Sequence, residues 1–220
     1  MSNVVIFGVG DFARIAAVYL RDDSPHDVVA FAVDDEYFAG ESLMGIPVVP
    51  SSELPARHPP GQFDVLVAVG YSRVNQARTE VYERYKSLGY DFVTYVHSSV
   101  LRWPETTIGE NCFIFEENVI QPFVSIGDNV VLWSGNHIGH DVTIGNHCFI
   151  ASHAVVSGNC RFGESCFVGV NATFRDDVTI APKCVIGAGA LIMRDTEEGG
   201  VYSVPGSKAI DRKSWELKGF

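Results

Sequence analysis

A six-residue period constrains this chain more than any other feature. Reading every sixth residue from Ile108 gives Ile108, Ile114, Ile120, Ile126, Leu132, Ile138, Ile144, Ile150, Val156, Phe162, Val168, Phe174, Ile180, Ile186 and Ile192, and none of them is polar. Four places further on, a second register is small or β-branched at nearly every step, running from Cys112 through Val124, Val142, Ala154 and Ala172 to Ala190. A period of six fits neither a 3.6-residue helix nor a simple alternating strand of such length, and short-period self-similarity marks a β-solenoid. Each hexad then supplies a short strand and a corner. Gly, Asn and Asp crowd the intervening places, as in Gly127-Asp128-Asn129, Gly145-Asn146-His147 and Asp176-Asp177, where a tight corner needs residues tolerant of unusual backbone angles.

The five cysteines, Cys112, Cys148, Cys160, Cys166 and Cys184, all fall on the small register. That placement reads as free thiols packed as small apolar side chains, and no CxxC pair points to zinc or redox chemistry. With 16 basic against 27 acidic residues the net charge is −11, which argues against a nucleic-acid or anionic-membrane partner. Met1-Ser2-Asn3 runs directly into Val4-Val5-Ile6 without the basic region or cleavage site of a signal peptide, and no apolar run approaches a membrane span. A cytoplasmic protein is the expectation.

At 220 residues and 46% apolar content the chain has room for two cores. The repeat occupies only the second half. Residues 3–8 predict a buried strand, Gly8-Val9-Gly10-Asp11-Phe12-Ala13 a glycine-rich turn, and 13–20 a helix. Such a turn lets helix N-terminal amides face a phosphate. Strands at 28–33, ending in Asp34-Asp35, and at 64–69, ending at Gly70, follow, with an amphipathic helix at 72–88 carrying Val74, Ala77, Val81, Tyr85 and Leu88 on one face. A last strand at 92–96 closes the unit, and the Pro-rich segment 47–60 reads as a surface loop. The alternation describes a small Rossmann-like α/β domain over 1–97, with ligand expected beyond the strand ends.

The pattern [Ile/Leu/Val]-Gly-x-x-[small]-x resembles the left-handed β-helix acyltransferases. The resemblance implies a left-handed parallel β-helix over 98–209, with 97–107 as a linker and four to five triangular coils of 18 residues. Trimers, with acyl-coenzyme A in the groove between neighbouring helices, are implied likewise. Val204-Pro205-Gly206-Ser207-Lys208-Ala209 looks like the family's closing segment, leaving 210–220 as a tail or short helix. A Rossmann-like unit before such a helix is similar to the sialic-acid O-acetyltransferase-like branch, which includes bacterial N-acetyltransferases of nucleotide-linked 4-amino-4,6-dideoxy sugars. Carried over residue by residue, the nucleotide-sugar contacts are Gly10, Asp11 and Phe12, then Asp34 and Asp35, then Gly70.

Four of the seven histidines, His137, His140, His147 and His153, lie close together. His140, His147 and His153 occupy corner positions of their hexads, so the register points all three outward. N-acetyl transfer needs a base for the amine proton and a donor for the oxyanion. Histidine suits the first task, and His140-Asp141 offers it an adjacent carboxylate partner. His140-Asp141-Val142-Thr143-Ile144-Gly145 matches the family's His-[Glu/Asp/His]-x-x-Ile-Gly segment, so the resemblance implies His140 as base. One coil on, it makes Gly158 the amide that meets the thioester carbonyl. The family's second histidine, nine residues after the base, is Phe149 here, with His147 or His153 as replacements. Val170 and Ala188 fall where pantetheine contacts are expected.

The leading expectation is an acetyl-CoA-dependent N-acetyltransferase of a nucleotide-linked amino sugar for bacterial surface polysaccharide, needing no metal. Sugar O-acetylation would use the same base and groove. Two other classes are a non-catalytic nucleotide-sugar-binding protein and, by fold analogy alone, a metal hydratase like the γ-class carbonic anhydrases, whose zinc is held by histidines at trimer interfaces.

Overall fold

The computed structural model describes residues 2–40 and 42–217. Its first part is built on β1 (Asn3–Phe7), α1 (Asp11–Asp23), β2 (Asp27–Val33), β3 (Ser42–Leu43), β4 (Ile46–Pro50), α2 (Leu54–Arg57), β5 (Asp64–Val67) and α3 (Gln76–Ser87). The sheet order is β3-β4-β2-β1-β5, parallel except for β3. Side chains alternate across a strand, so β1 serves two cores. Val4 and Ile6 pack on Ala13, Ala16 and Leu20 of α1, whereas Val5 and Phe7 pack on Val81, Tyr82 and Tyr85 of α3. Burial on both faces is why these strands read as continuous apolar runs.

Segment 47–60 is not the expected loop: Val48, Val49 and Pro50 pair with Phe31, Ala32 and Val33, and α2 follows. The third strand stops at Val67, and α3 starts at Gln76 because Arg73, Val74 and Asn75 all take left-handed backbone angles (φ 52°, 53° and 66°). Leu88, assigned to the buried face of α3, is exposed, and Arg78 is buried there instead.

The second part is a triangular parallel β-helix. Two-residue strands stack 18 residues apart, Val119 on His137 and Val131 on Phe149, in sheets of six, five and seven strands. The seven-stranded sheet runs from Tyr95–Val96 to Val201–Tyr202, so it spans six coils rather than four to five. The extra coil is the first. Tyr95–Val96, Leu101–Arg102 and Thr107–Ile108 are its three strands, and the expected linker at 97–107 and the start of the helix at 98 are both corrected by it. The hexad rule hid this coil because Arg102, on the aliphatic register, is exposed, and Val96 and Val100 pack against the interior. At the far end, Ser214–Glu216 form a single 3-10 turn, and residues 218–220 of the tail lie outside the described residues.

Aliphatic side chains and all five cysteines fill the interior. Burial pushes the Cys112 thiol up to about 12, and the Cys148 thiol faces the Gly163 carbonyl at 3.2 Å. Most corners carry a residue with left-handed φ, among them Asn111, Asn129, Asp141, Asn159, Asn171 and Asp177. Asn and Asp tolerate that region, whereas most L-residues lose roughly 1–2 kcal/mol there.

The three outward faces have different fates. Thr107, Ser125, Thr143, Arg161 and Thr179 make one face, five polar residues on exposed strands. A second face carries Tyr95, Phe113, Val131 and Phe149, and the first part of the chain covers it, with Phe12 and Tyr19 of α1 in edge contact with Phe113. The third presents Leu101, Val119, His137, Val155, Thr173 and Leu191, largely apolar and uncovered in the single chain.

Arg78 clamps the two parts together. Fully buried, it donates through Nη2 to the carbonyls of His147 (2.8 Å) and Cys148 (3.1 Å) and through Nε to Asn129 Oδ1 (3.2 Å). Desolvation lowers its pKa to about 10, still charged at neutral pH. Replacing Arg78 with Leu strands these buried acceptors, and the unfolding free energy in urea titration is expected to fall by about 3 kcal/mol; a loss below about 1 kcal/mol would show the clamp to be dispensable.

A second tie is Asp23, which accepts from Tyr95 Oη (2.7 Å) and the Ser98 amide (2.9 Å). Ser98 and Tyr95 hold its carboxyl at about 2, below the ordinary 3.8. A depressed folded-state pKa gives stability that is present above the ordinary value and lost as pH falls toward 2. The difference in urea midpoint between wild type and Asp23→Asn is therefore expected to be constant above pH 5 and to shrink between pH 4 and 2.

Candidate active site

His140 sits on the corner between the strands His137–Ile138 and Thr143–Ile144. Its backbone N–H donates to Gln121 Oε1 at 2.9 Å, one coil below, which fixes the corner. Its Nδ1 lies 2.9 Å from Asp141 Oδ2. A carboxylate only accepts, so Nδ1 carries the proton and Nε2 presents a lone pair, as a general base requires. The imidazole lies against Gly158, one coil above: a Cβ at that position would sit 2.6 Å from His140 Cε1 and Nε2. Gly158 is thus where the register placed it, but its N–H donates to Asp176 Oδ1 at 3.0 Å. In this state it is not the free oxyanion donor expected.

A largely apolar pocket of about 360 Å³ opens on another corner, between the face under the first domain and the uncovered face. Tyr71, Trp133, Phe149, Phe167, Val170 and Ala188 are among its walls. The two positions nominated for pantetheine, Val170 and Ala188, therefore come together, beside Phe149, which stands where a second histidine was sought. His153 is on the same corner column, its ring over Gly135. His147 is not: it is buried, its Nδ1 accepts from Asn129 (3.0 Å) and its ring meets Tyr82 of α3, so it is corrected from coenzyme contact to domain-interface residue. Burial, then the Arg78 charge, lowers its pKa. His140, His147 and His153 occupy three different corners, and among the described residues no group of three His, Cys, Asp or Glu is placed to hold a metal ion.

The first domain offers a crevice of about 470 Å³ at the carboxyl ends of β1, β2 and β5, lined by Gly8, Asp34, Ser72, Arg73, Glu80 and Arg84 among others. Strand order reverses direction beside β1, the position where open α/β sheets bind ligands. Only glycine fits at residue 8, where φ is 131° and a Cβ would lie 2.6 Å from the Ala68 carbonyl oxygen. Of the expected substrate contacts, Asp34 lines the crevice and pairs with Arg84. Asp35 instead accepts from Ser51 and from the Ser52 amide, and Gly70 gives its carbonyl to Arg78. Gly10 caps α1, exposed Asp11 pairs with Arg14, and Phe12 packs between the domains against Phe113, so Phe12 is a correction. The ligand expected beyond the strand end at Gly8 agrees with this crevice, whereas sequence reasoning missed Arg73, Arg84 and Tyr71, which carry no local signal.

Residues 105–138 and 129–158 match the bacterial transferase hexapeptide family, and 160–194 match the hexapeptide repeat of succinyl-transferase. The chain is a hexapeptide-repeat acyltransferase. Residues 3–85 of this acyltransferase match the PglD N-terminal domain. Among solved structures it is similar to PerB from Caulobacter crescentus in complex with CoA and GDP-perosamine (25% identity, TM-score 0.81, 94% of this chain and 98% of that one). It is also similar to the acetyltransferase domain of PglB from Neisseria gonorrhoeae FA1090 in complex with acetyl coenzyme A (26%, TM-score 0.78, 90% and 94%). WeeI from Acinetobacter baumannii AYE, 18% identical with a TM-score of 0.76 over 91% and 96%, shares the fold. No curated protein matches the sequence.

For this acyltransferase the His140–Gly158 contact makes a sharp expectation. Gly158→Ala leaves the corner backbone unstrained but drives a methyl into the imidazole, so kcat should fall at least tenfold while the urea midpoint barely moves. An unchanged kcat would mean that the observed ring position is not the working one.

Proposed function

We propose that this acyltransferase moves the acetyl group of acetyl-CoA to the amine of a nucleotide-linked amino sugar, a 4-amino-4,6-dideoxy sugar destined for bacterial surface polysaccharide, in the cytoplasm. The observation that carries the reading is the His140-Asp141 pair, with Nε2 free, on a two-part chain that matches almost the whole length of an enzyme crystallised with CoA and GDP-perosamine. The nucleotide belongs in the crevice by Gly8 and Asp34, and the pantetheine arm in the pocket by Val170 and Ala188. Nitrogen attacks the thioester carbonyl, the N–C bond forms and the C–S bond breaks. His140 Nε2 takes the amine proton and returns it to the departing thiolate of CoA. Asp141 holds the imidazole tautomer and steadies its charged form.

Within one chain His140 and the pocket lie at opposite edges of the uncovered face. A homotrimer resolves this: if that apolar face of each copy turns toward a common three-fold axis, the His140 edge of one copy meets the pocket edge of the next. The site is then shared, and the stripe of Leu101, Val155 and Leu191 is covered. Light scattering should give about three times the 24.0 kDa chain.

The deciding assay is thiol release from acetyl-CoA over a panel of UDP-, dTDP- and GDP-linked 3-amino and 4-amino sugars with hydroxyl-only controls. Turnover confined to an amino sugar, reduced at least about a hundredfold in His140→Asn, is expected, since general-base catalysis contributes roughly 10²–10⁴. Turnover on hydroxyl-only acceptors would convert the reading to O-acetylation, and full activity in His140→Asn would remove that base.

A further inference from the structure

Phe123 breaks the rule of its corner column. The residues stacked above it at 18-residue steps are Asp141, Asn159 and Asp177, all with left-handed φ (59°, 58° and 63°) and all of a type that tolerates it. Phe123 adopts φ 65° and the residue is 62% exposed. An aromatic residue is uncommon in that region, although the coil imposes the same left-handed angle at other corners, Glu117, His153, Ser165 and Lys183 among them. Val74, in the same region, is explained by its neighbour Asn75, whose amide donates to the Cys166 carbonyl at 3.0 Å. The Phe123 corner is held by the coil itself, the Val124 carbonyl accepting from the Thr107 amide and the Ser125 amide donating to the Val142 carbonyl. What lies next to it is the reacting centre: the Asp141 amide donates to the Pro122 carbonyl at 3.1 Å, and Gln121 holds the His140 amide. Adjacent coils are about 4.8 Å apart, so the Phe123 backbone lies one coil step below Asp141, the residue next to the base.

Resting on the proposed acceptor, we infer that Phe123 is a specificity-determining residue that receives the apolar side of the sugar. An amine delivered to His140 Nε2 brings its pyranose ring with it, and the ring's C–H face and C6 methyl group are the apolar surfaces within one coil step. A C6 hydroxyl group in the same place would lose its water without gaining a partner, so the aromatic ring favours 6-deoxy amino sugars over their 6-hydroxy counterparts.

The test compares wild type, Phe123→Asn and Phe123→Tyr on matched 6-deoxy and 6-hydroxy nucleotide-linked amino sugars, with calorimetric binding of each sugar and light scattering alongside. Phe123→Asn should melt no lower than wild type, since Asn suits the corner, and should remain the same oligomer. Its KM for the 6-deoxy sugar should rise at least tenfold with KM for acetyl-CoA within twofold, its preference over the 6-hydroxy sugar should vanish, and Phe123→Tyr should restore both. An unchanged sugar KM with wild-type turnover intact overturns this inference alone. A smaller oligomer overturns it in favour of a subunit contact. Sugar binding that weakens in Phe123→Asn without turnover in any form supports the contact while removing the transfer reaction, and absence of both binding and turnover in wild type overturns both.

Discussion

Stacking in fixed register at 18-residue steps is the constraint on which the rest depends. Each rung donates to the coil above, Phe113 N–H to the Val130 carbonyl and Val131 N–H to the Cys148 carbonyl. A slip of one residue would turn the aliphatic register outward and bury the polar one, so the interior enforces the alignment along its whole length. The chemistry inherits that precision. Gln121, His140, Gly158 and Asp176 come from four successive coils and are neighbours only because the register makes them so. Gly139 shows how little slack there is: a Cβ there would lie 2.7 Å from the Gly158 nitrogen.

The same register explains what could be read in advance. Inward positions repeat every six residues and face one environment, so the interior, the cysteines and the corner holding His140 were legible. Outward positions face three environments, and sequence spacing does not distinguish them. His147 is outward by register and buried in fact, because α3 lies over its corner and Tyr82 and Arg78 occupy the space that solvent would fill. Phe12 stands in a phosphate-type turn yet serves an aromatic interface with Phe113. Arg78 was beyond reach for another reason. Its partners at Asn129, His147 and Cys148 are backbone and amide groups far along the chain, and no local pattern on a helix announces a cation that will be bound by carbonyls.

Electrostatics in the crevice sharpen the division of labour between the two parts. The chain carries a net charge of −11, so the diphosphate of the proposed substrate would be held against an unfavourable background. Both crevice arginines are already matched, Arg73 with Glu80 and Arg84 with Asp34. These pairs are substantially exposed, where ion pairs are worth little, so exchanging a carboxylate for a phosphate is inexpensive. Selectivity in such a crevice would come from shape rather than from net attraction.

The domain interface decides how crevice, pocket and base can cooperate. Tyr71, in the segment after β5, meets Phe149 edge-on and Phe167 at a tilt (centroids 5.0 and 4.7 Å) and so joins the crevice segment to the apolar pocket. Immediately after it, the left-handed run of Arg73, Val74 and Asn75 is pinned by Asn75 and Arg78 to the coils that carry those aromatics. Crevice and pocket are therefore tied to each other within a chain, while His140 stands across the uncovered face. In the proposed trimer the base of one copy would reach the pocket of the next, and a monomer would keep both surfaces while lacking the neighbouring His140.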